Sequence, residues 1–447
     1  MPRKYITGYN RRKVHLVMNF AETLTPEARR GARLNAYAST WFGCFTDVMI
    51  DSSAIIILYL TMLKSSEMAT MFAMSFSGIV AMFMMIPMAG VVDRFGVKRC
   101  IYASAWIALG SYLLMAIAPV FGKTAASGIV LTGCLLFSVS RPLWSAAWYP
   151  LLNDILLPEE RGTFFGRMRF SYMILTGSVF FVIGLVMGEN PPEWFLQTVI
   201  GTAGLLMLGR IVCISRIPVS ASAEGKYDLK KAFGISIRNG PLVSFSVYVC
   251  CLSAAFCSLA PLVLLYLKKG IGCGDNVVQT VSSVGIAGLI CGYFFYGPLL
   301  AKIGMKRLQL ITHALYIVIP FLLFLCGKSM PAPAWIAGGL LFIGNFAFAC
   351  FNCSFSRETL ALARPGNSVM AMAFCQTYQQ LGMGSGRVVT SFLLGSGMLA
   401  TQWNWRGLSV CNYQTLFLIE AFFGLFCLIM LFCIPSVVPK HEDYYEP

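Results

Sequence analysis

The chain has 447 residues, of which 57% are hydrophobic and only 12% charged, with a mean hydropathy of +0.71. A soluble domain carries roughly 25% charged residues, so this chain has too few to cover a water-facing surface, and most of its surface faces lipid. The formal net charge of +15 is therefore read as loop charge on a membrane protein and not as a footprint for nucleic acid.

Residues 1–35 are basic and polar, without the apolar run that a cleaved signal requires. Within them Thr25, Pro26 and Glu27 form a helix start: a cap residue, a proline and an acidic first turn. This predicts a short cytoplasmic surface helix feeding the first span. A bilayer core takes about 20 apolar residues per helix. Such runs fall at 36–63, 70–92, 99–120, 126–152, 168–188 and 194–215. Six more follow at 241–267, 276–300, 308–326, 333–356, 369–396 and 413–435. The longest polar interruption, 216–240, carries Lys226, Lys230, Lys231 and Arg238 and divides the spans six and six. The expected organisation is a cytoplasmic segment 1–35, a six-helix bundle 36–215, a cytoplasmic linker 216–240, a second bundle 241–435 and a tail 436–447.

With the N-terminus in the cytoplasm, 25 of the 34 basic residues fall in cytoplasmic segments or at the cytoplasmic ends of spans. Six fall outside (Lys64, Lys123, Lys268, Lys269, Lys328 and Arg406), and Arg141, Arg210 and Arg387 fall inside spans. The positive-inside rule then puts both termini in the cytoplasm. Most of the 16 cysteines, such as Cys250, Cys251 and Cys257, sit in apolar runs and behave as small apolar residues. Cys273 and Cys411 fall in outer loops, and whether they pair is left open.

The halves repeat. After the second span comes Asp93-Arg94-Phe95-Gly96-Val97-Lys98-Arg99, and 208 positions later, after the eighth, comes Ala301-Lys302-Ile303-Gly304-Met305-Lys306-Arg307. Repeated six-helix halves are how many transporters alternate access around a central site. Asp93, Arg94, Gly96, Lys98 and Arg99 also match the loop between helices 2 and 3 of the major facilitator superfamily, which the chain resembles over almost its whole length. The match departs where Ala89 replaces the first glycine, with Gly90 one step late; the second copy keeps Gly297 but has Ala301 for the acid. The resemblance implies an all-α membrane protein of twelve transmembrane helices in two pseudo-symmetric bundles. It also implies that this loop and its copy (Lys302, Gly304, Lys306 and Arg307) form a latch for one side of the access cycle. Arg141 lies near an arginine of proton-coupled members, although Trp144-Ser145 follows it in place of their Gln-Gly. Pro158-Glu159-Glu160-Arg161-Gly162 looks familial too, while the fifth span, Gly177-Ser178 through Gly184, lacks the glycine-proline pattern of drug antiporters.

Charges at bilayer depth are costly and default to function. Asp47 and Asp51, four residues apart, share one helix face. In the resembled fold helices 1 and 4 border the cavity, so Arg141 converges on them. Two carboxylates on one face repel, and a guanidinium offsets that repulsion. A carboxylate balanced between the two effects loads and unloads a proton as access alternates. The alternatives are a sodium site, a substrate ligand, or a pair that only joins helices 1 and 4. Arg387 and Glu420, at similar depth in spans 11 and 12, are expected to form a structural ion pair. Asn345 and Asn352, seven apart, and Gln376 and Gln379, beside Gln380, are substrate-contact candidates, with interhelical hydrogen bonding as the alternative. Trp144 and Trp148, with Tyr149, either stack on a substrate or pack. Gly382, Gly384 and Gly386 suit close helix packing, and Arg357-Glu358 an inner gate.

There are three histidines and no zinc-protease pattern, phosphate-binding loop or dinucleotide fingerprint. The expectation is accordingly not an enzyme, with no cofactor and no metal site, and with uphill transport drawing on an ion gradient. The reading is a secondary active transporter of a small solute, proton-coupled and working by alternating access. A drug or lipid exporter and a non-transporting sensor are the alternatives. Its expected partners are that solute, a proton or sodium ion and the lipid bilayer, with no nucleic acid. It is expected as a multi-pass monomer in the plasma membrane, the inner membrane if bacterial.

Overall fold

A computed structural model describes residues 20–157, 160–219, 229–364 and 367–433. Pro158, Glu159, Lys226 and the tail 436–447 lie outside the described residues. A four-residue helix, α1 (Phe20–Thr23), precedes α2 (Pro26–Asp51), α3 (Ile55–Met62), α4 (Glu67–Phe95), α5 (Val97–Ile117), α6 (Lys123–Ile155), α7 (Arg161–Met187) and α8 (Glu193–Ser215). After the short α9 (Leu229–Ile237) come α10 (Gly240–Phe256), α11 (Leu259–Leu265), α12 (Asp275–Ile303), α13 (Met305–Leu325), α14 (Pro333–Leu362), α15 (Ser368–Gly395) and α16 (Asn412–Cys433).

Among the described residues, 10 helices are long and apolar enough to cross a membrane, and α2 with α3, bent by 55°, add an eleventh. The twelfth is α15, more polar through Gln376, Gln379 and Gln380, and packed between α4 and α10. Inside the first half α5 packs on α6 and α8, α4 on α6, and α2 on α8; inside the second, α12 packs on α14, α10 on α15 and α13 on α16. Two seams join the halves, α4 against α15 and α7 against α12.

Helix starts and stops follow local chemistry. Thr25 Oγ1 accepts from Ala28 N at 3.2 Å, and Ser66 Oγ from Ala69 N at 3.1 Å, each satisfying an otherwise free first-turn donor. Gly96 (φ 87°) and Gly304 (φ 77°) end α4 and α12 in a backbone conformation that favours glycine. The repeated loop thus turns the same way in both halves. Asp93, Arg94 and Arg99 are exposed there, and Lys98 Nζ donates to Ser215 O at 3.3 Å.

Two expectations about the first span need correcting. No separate surface helix starts at Thr25, because α2 runs unbroken from Pro26 to Asp51. Nor is 36–63 one straight span. Ser52 N and Ser53 N both donate to Val48 O at 2.9 Å, and Ser53 Oγ accepts from Ile55 N at 3.2 Å. Serine thus offers the backbone an alternative to the helix ladder, and the chain bends. Gln279 of α12 reaches into this break, where its Oε1 accepts from Ser53 Oγ and Ala54 N, both at 3.2 Å.

Between α15 and α16 a two-stranded hairpin, β1 (Gln402–Trp405) and β2 (Leu408–Cys411), turns through Arg406 and Gly407, both with positive φ, as a tight two-residue hairpin turn requires. Cys273 and Cys411 are both free thiols, and burial pushes the pKa of each above the usual thiol value.

Hydrogen bonds between the halves cluster at the end of the bundle remote from both termini, here the far face. Asp275 N donates to Glu189 O at 2.8 Å and Asn276 N to Gly188 O at 3.1 Å. Lys269 Nζ donates to Ser65 O at 3.0 Å, Ser391 Oγ to Met68 O at 2.6 Å, and Ser282 Oγ to Ser52 O at 2.7 Å. The far face is therefore closed.

Candidate functional site

A cavity of about 290 Å³ lies between mid-membrane and the face that carries the termini. Asp47 and Asp51 reach it from the last turns of α2, just before the serine break; Arg141 comes from α6 and Arg210 from α8. Arg141 holds Asp51 through two parallel bonds, Nη2 to Oδ2 at 2.5 Å and Nη1 to Oδ1 at 3.0 Å. Such bidentate pairing is the strong form of a guanidinium–carboxylate contact. Ser77 Oγ adds a bond to Asp51 Oδ1 at 3.4 Å.

Asp47 is held more loosely. Arg141 Nε lies 3.4 Å from its Oδ1, and Arg210 Nη2 3.9 Å from its Oδ2. The three predicted coupling residues do come together, and Arg210 joins them as a fourth. Its signal was in the sequence, as an arginine inside a span, but no motif pointed to its partner. Arg210 is fixed by a bond from Nε to Ser39 O at 3.1 Å and by its position 3.8 Å above the Trp144 ring, a cation–π contact. Space for it comes from Gly43, where an added Cβ would fall 1.6 Å from the guanidinium. Gly43→Ala is therefore expected to expel Arg210 from its niche and to destabilise the protein by about 1–3 kcal/mol, the usual range for overpacking. Thermal unfolding in detergent measures this, and an unchanged midpoint would show that the niche is wider than drawn.

Trp144 stacks on Trp148, with centroids 4.7 Å apart and planes at 21°. Both line the cavity, yet protein already occupies the Trp144 ring, so packing accounts for this pair. On the C-terminal side Gln379 Nε2 donates to Asn352 Oδ1 at 3.0 Å, and Asn352 Nδ2 to the Tyr293 hydroxyl at 3.5 Å. Asn345 does not join them. It faces Gly285 of α12, where an added Cβ would lie 2.8 Å from its Nδ2, and so serves helix packing. Gln376 sits one turn before Gln379 and Gln380 on α15 and does not enter the chain of bonds.

Arg387 and Glu420 do not form the expected ion pair. Arg387 donates from Nε to Cys257 O at 3.1 Å and from Nη1 to Met74 O, across the seam on α4, at 2.6 Å. Glu420 Oε1 accepts from Ser258 Oγ at 2.6 Å. Both residues attend the break between α10 and α11, where the interrupted helix leaves backbone groups to satisfy. Similar depth did not bring the side chains together, because they approach that break from different helices.

Comparison with known proteins agrees with this architecture. The sequence profile of the Major Facilitator Superfamily matches residues 40–387. No curated protein sequence matches the chain. Among solved structures, the nucleoside transporter NupG, in a point-mutant form, superposes with a TM-score of 0.68 at 15% identity, covering 91% of this chain and 99% of that one. A D-xylose-proton symporter gives 0.66 at 14% identity, over 92% and 98%. The xylose transporter XylE from E. coli, in a partially occluded inward-open form, also gives 0.66 at 14%, over 91% and 98%. The twelve helices in two bundles, the seams between them and the polar cavity of the first bundle define a secondary transporter. The chain belongs to the Major Facilitator Superfamily and is a multi-pass membrane protein.

Proposed function

We propose that this transporter couples movement of a small solute to protons, with Asp47 as the carboxylate that takes and releases the proton. The observation that carries this reading is the unequal hold on two neighbouring carboxylates: Asp51 is clamped at 2.5 and 3.0 Å, whereas Asp47 is shared at 3.4 and 3.9 Å. Arg141 touches both. Protonation of Asp47 releases one side of Arg141 and Arg210, so the charge state of Asp47 is passed to α6 and α8. With the termini in the cytoplasm, as the distribution of basic residues supports, the cavity faces inward and the far face is the closed outer gate.

The proton-coupled xylose symporter supports the same coupling by likeness of fold alone. A wide apolar cavity suited to drugs or lipids is a poorer fit to a site of about 290 Å³ lined by Asp47, Asp51, Arg141 and Arg210. The test is flux in liposomes that enclose a pH-sensitive dye, with a broad solute panel, for the wild type and Asp47→Asn. Solute-dependent proton flux is expected in the wild type and absent in the variant, which keeps solute exchange. Solute movement with no proton flux in the wild type would defeat the reading.

A further inference from the structure

The cavity contains a third arginine that the coupling network leaves over. Arg169, from α7, lines it with its side chain open to the cavity. Among the described residues no carboxylate pairs with Arg169. Its electrostatic neighbours are the hydroxyls of Tyr149 and Tyr172, which line the same cavity, and, from the second half, the Tyr293 hydroxyl and the Cys353 thiol. Both carboxylates of the cavity are already engaged, Asp51 by Arg141 and Asp47 by Arg141 and Arg210. Three guanidiniums therefore face two carboxylates, and the cavity carries one unmatched positive charge.

Because Arg169 is exposed to the cavity, it is the guanidinium there that a solute reaches without first displacing a carboxylate. It stands on a wall of the cavity, whose lining comes from the first half, on the helix α7 that packs against α12 of the second. We propose that the transported solute is a small organic monocarboxylate, whose carboxylate docks on Arg169 with the tyrosine hydroxyls donating beside it. The proposal rests on the coupled-transport reading above and deepens it by naming the solute class. Guanidinium and carboxylate match in planar geometry, two parallel N–H donors to two oxygens. The hydroxyl of Tyr293, already the acceptor of the Asn352 bond, has its own hydrogen free to give. One unmatched charge suits a carboxylate, which carries a single negative charge. While Asp47 is charged, a phosphate monoester, at about −1.5 to −2 at neutral pH, would leave the cavity net negative. The volume of about 290 Å³ lies at the lower end for ligand sites and suits a small solute.

The charge balance has a consequence for energetics. A monoanion entering with one proton moves no net charge. With no uncompensated charge to feel the transmembrane field, uptake of the pair responds to the pH gradient and not to membrane potential.

The experiment uses the full chain in liposomes with monocarboxylates headed by gluconate, lactate and nicotinate, each beside its neutral counterpart, glucose, glycerol and nicotinamide. Uptake of at least one carboxylate, with its counterpart ignored and no response to an imposed potential, is expected. In Arg169→Gln the KM for that carboxylate should rise at least tenfold, with partial recovery in Arg169→Lys. The comparison within each pair is made on the wild type, so it stands even if a variant fails to fold. Uptake confined to neutral solutes, no carboxylate taken up at all, or an unchanged KM in a folded Arg169→Gln would each overturn the proposal. Neutral-solute uptake that still drives protons would leave the coupling role of Asp47 intact and remove only the anion. Carboxylate uptake without proton flux would do the reverse.

Discussion

Asp51→Asn is expected to abolish concentrative uptake and to lower stability by about 1–3 kcal/mol. Removing one partner of a fully buried pair typically costs 3–5 kcal/mol. The Asp51 and Arg141 side chains retain 27% and 28% exposure, to the cavity, and water there screens part of the charge left behind. The lower range follows. The variant leaves Arg141 with only the 3.4 Å contact to Asp47, so Arg141 should swing wholly onto Asp47 and hold it in the charged state. Proton loading then fails although the second carboxylate is untouched. The double variant Asp51→Asn/Arg141→Gln removes both charges and should recover most of the stability while staying inactive. Thermal unfolding in detergent and uptake in liposomes separate the two effects. Wild-type uptake by Asp51→Asn, or a double variant no more stable than the single, would show that the pair does not hold the site together.

How much of this was legible beforehand varies with the kind of information each feature needs. Span number and position follow from apolar run length, a local property. Thus the predicted spans at 126–152 and 413–435 reappear as Lys123–Ile155 and Asn412–Cys433. The meeting of Asp47, Asp51 and Arg141 was also within reach, because charge at bilayer depth is rare and the resembled fold says which helices border the cavity. What run length hides is where a helix gives way. Ser52 and Ser53 look like tolerable polar residues in a long span, and only their bonds to the backbone and to Gln279 reveal a bend. Azimuth is hidden as well. Arg387 and Glu420 share a depth, yet each answers to the α10–α11 break instead of to its partner. Asn345 and Asn352 share a helix face, yet one turns to Gly285 and the other to Gln379. Arg169 was the hardest to see, since a basic residue near the cytoplasmic end of a span reads as ordinary loop charge until the cavity wall is known.

The closed far face depends on a contact with no side chains in it. On α4, an added Cβ at Gly78 would lie 2.6 Å from Gly384 N and 2.9 Å from Gln380 O on α15. At Gly384 it would lie 2.8 Å from Ile79 N. Backbone meets backbone, so no rotamer change can make room, and the helices themselves must part. One turn nearer the far face, Arg387 reaches Met74 O at 2.6 Å, and beyond it Ser391 reaches Met68 O at 2.6 Å. Both bonds need the two helices at this separation. Gly78→Val is therefore expected to penalise the closed state by about 1–3 kcal/mol, the range for overpacking, which shifts the balance between access states by about 5–150-fold. Gly78→Ala should shift it in the same direction by less. Spin labels at Val120 and Met398, exposed far-face positions in opposite halves, in a background stripped of native cysteines, report the distance directly. A longer distance population should grow in the order wild type, Gly78→Ala, Gly78→Val, with solute exchange slowing as the closed state is lost. Should the Gly78→Val distances match the wild type, the bonds at Lys269, Asp275 and Asn276 would be the ones that hold the gate, and the α4–α15 crossing only a pivot.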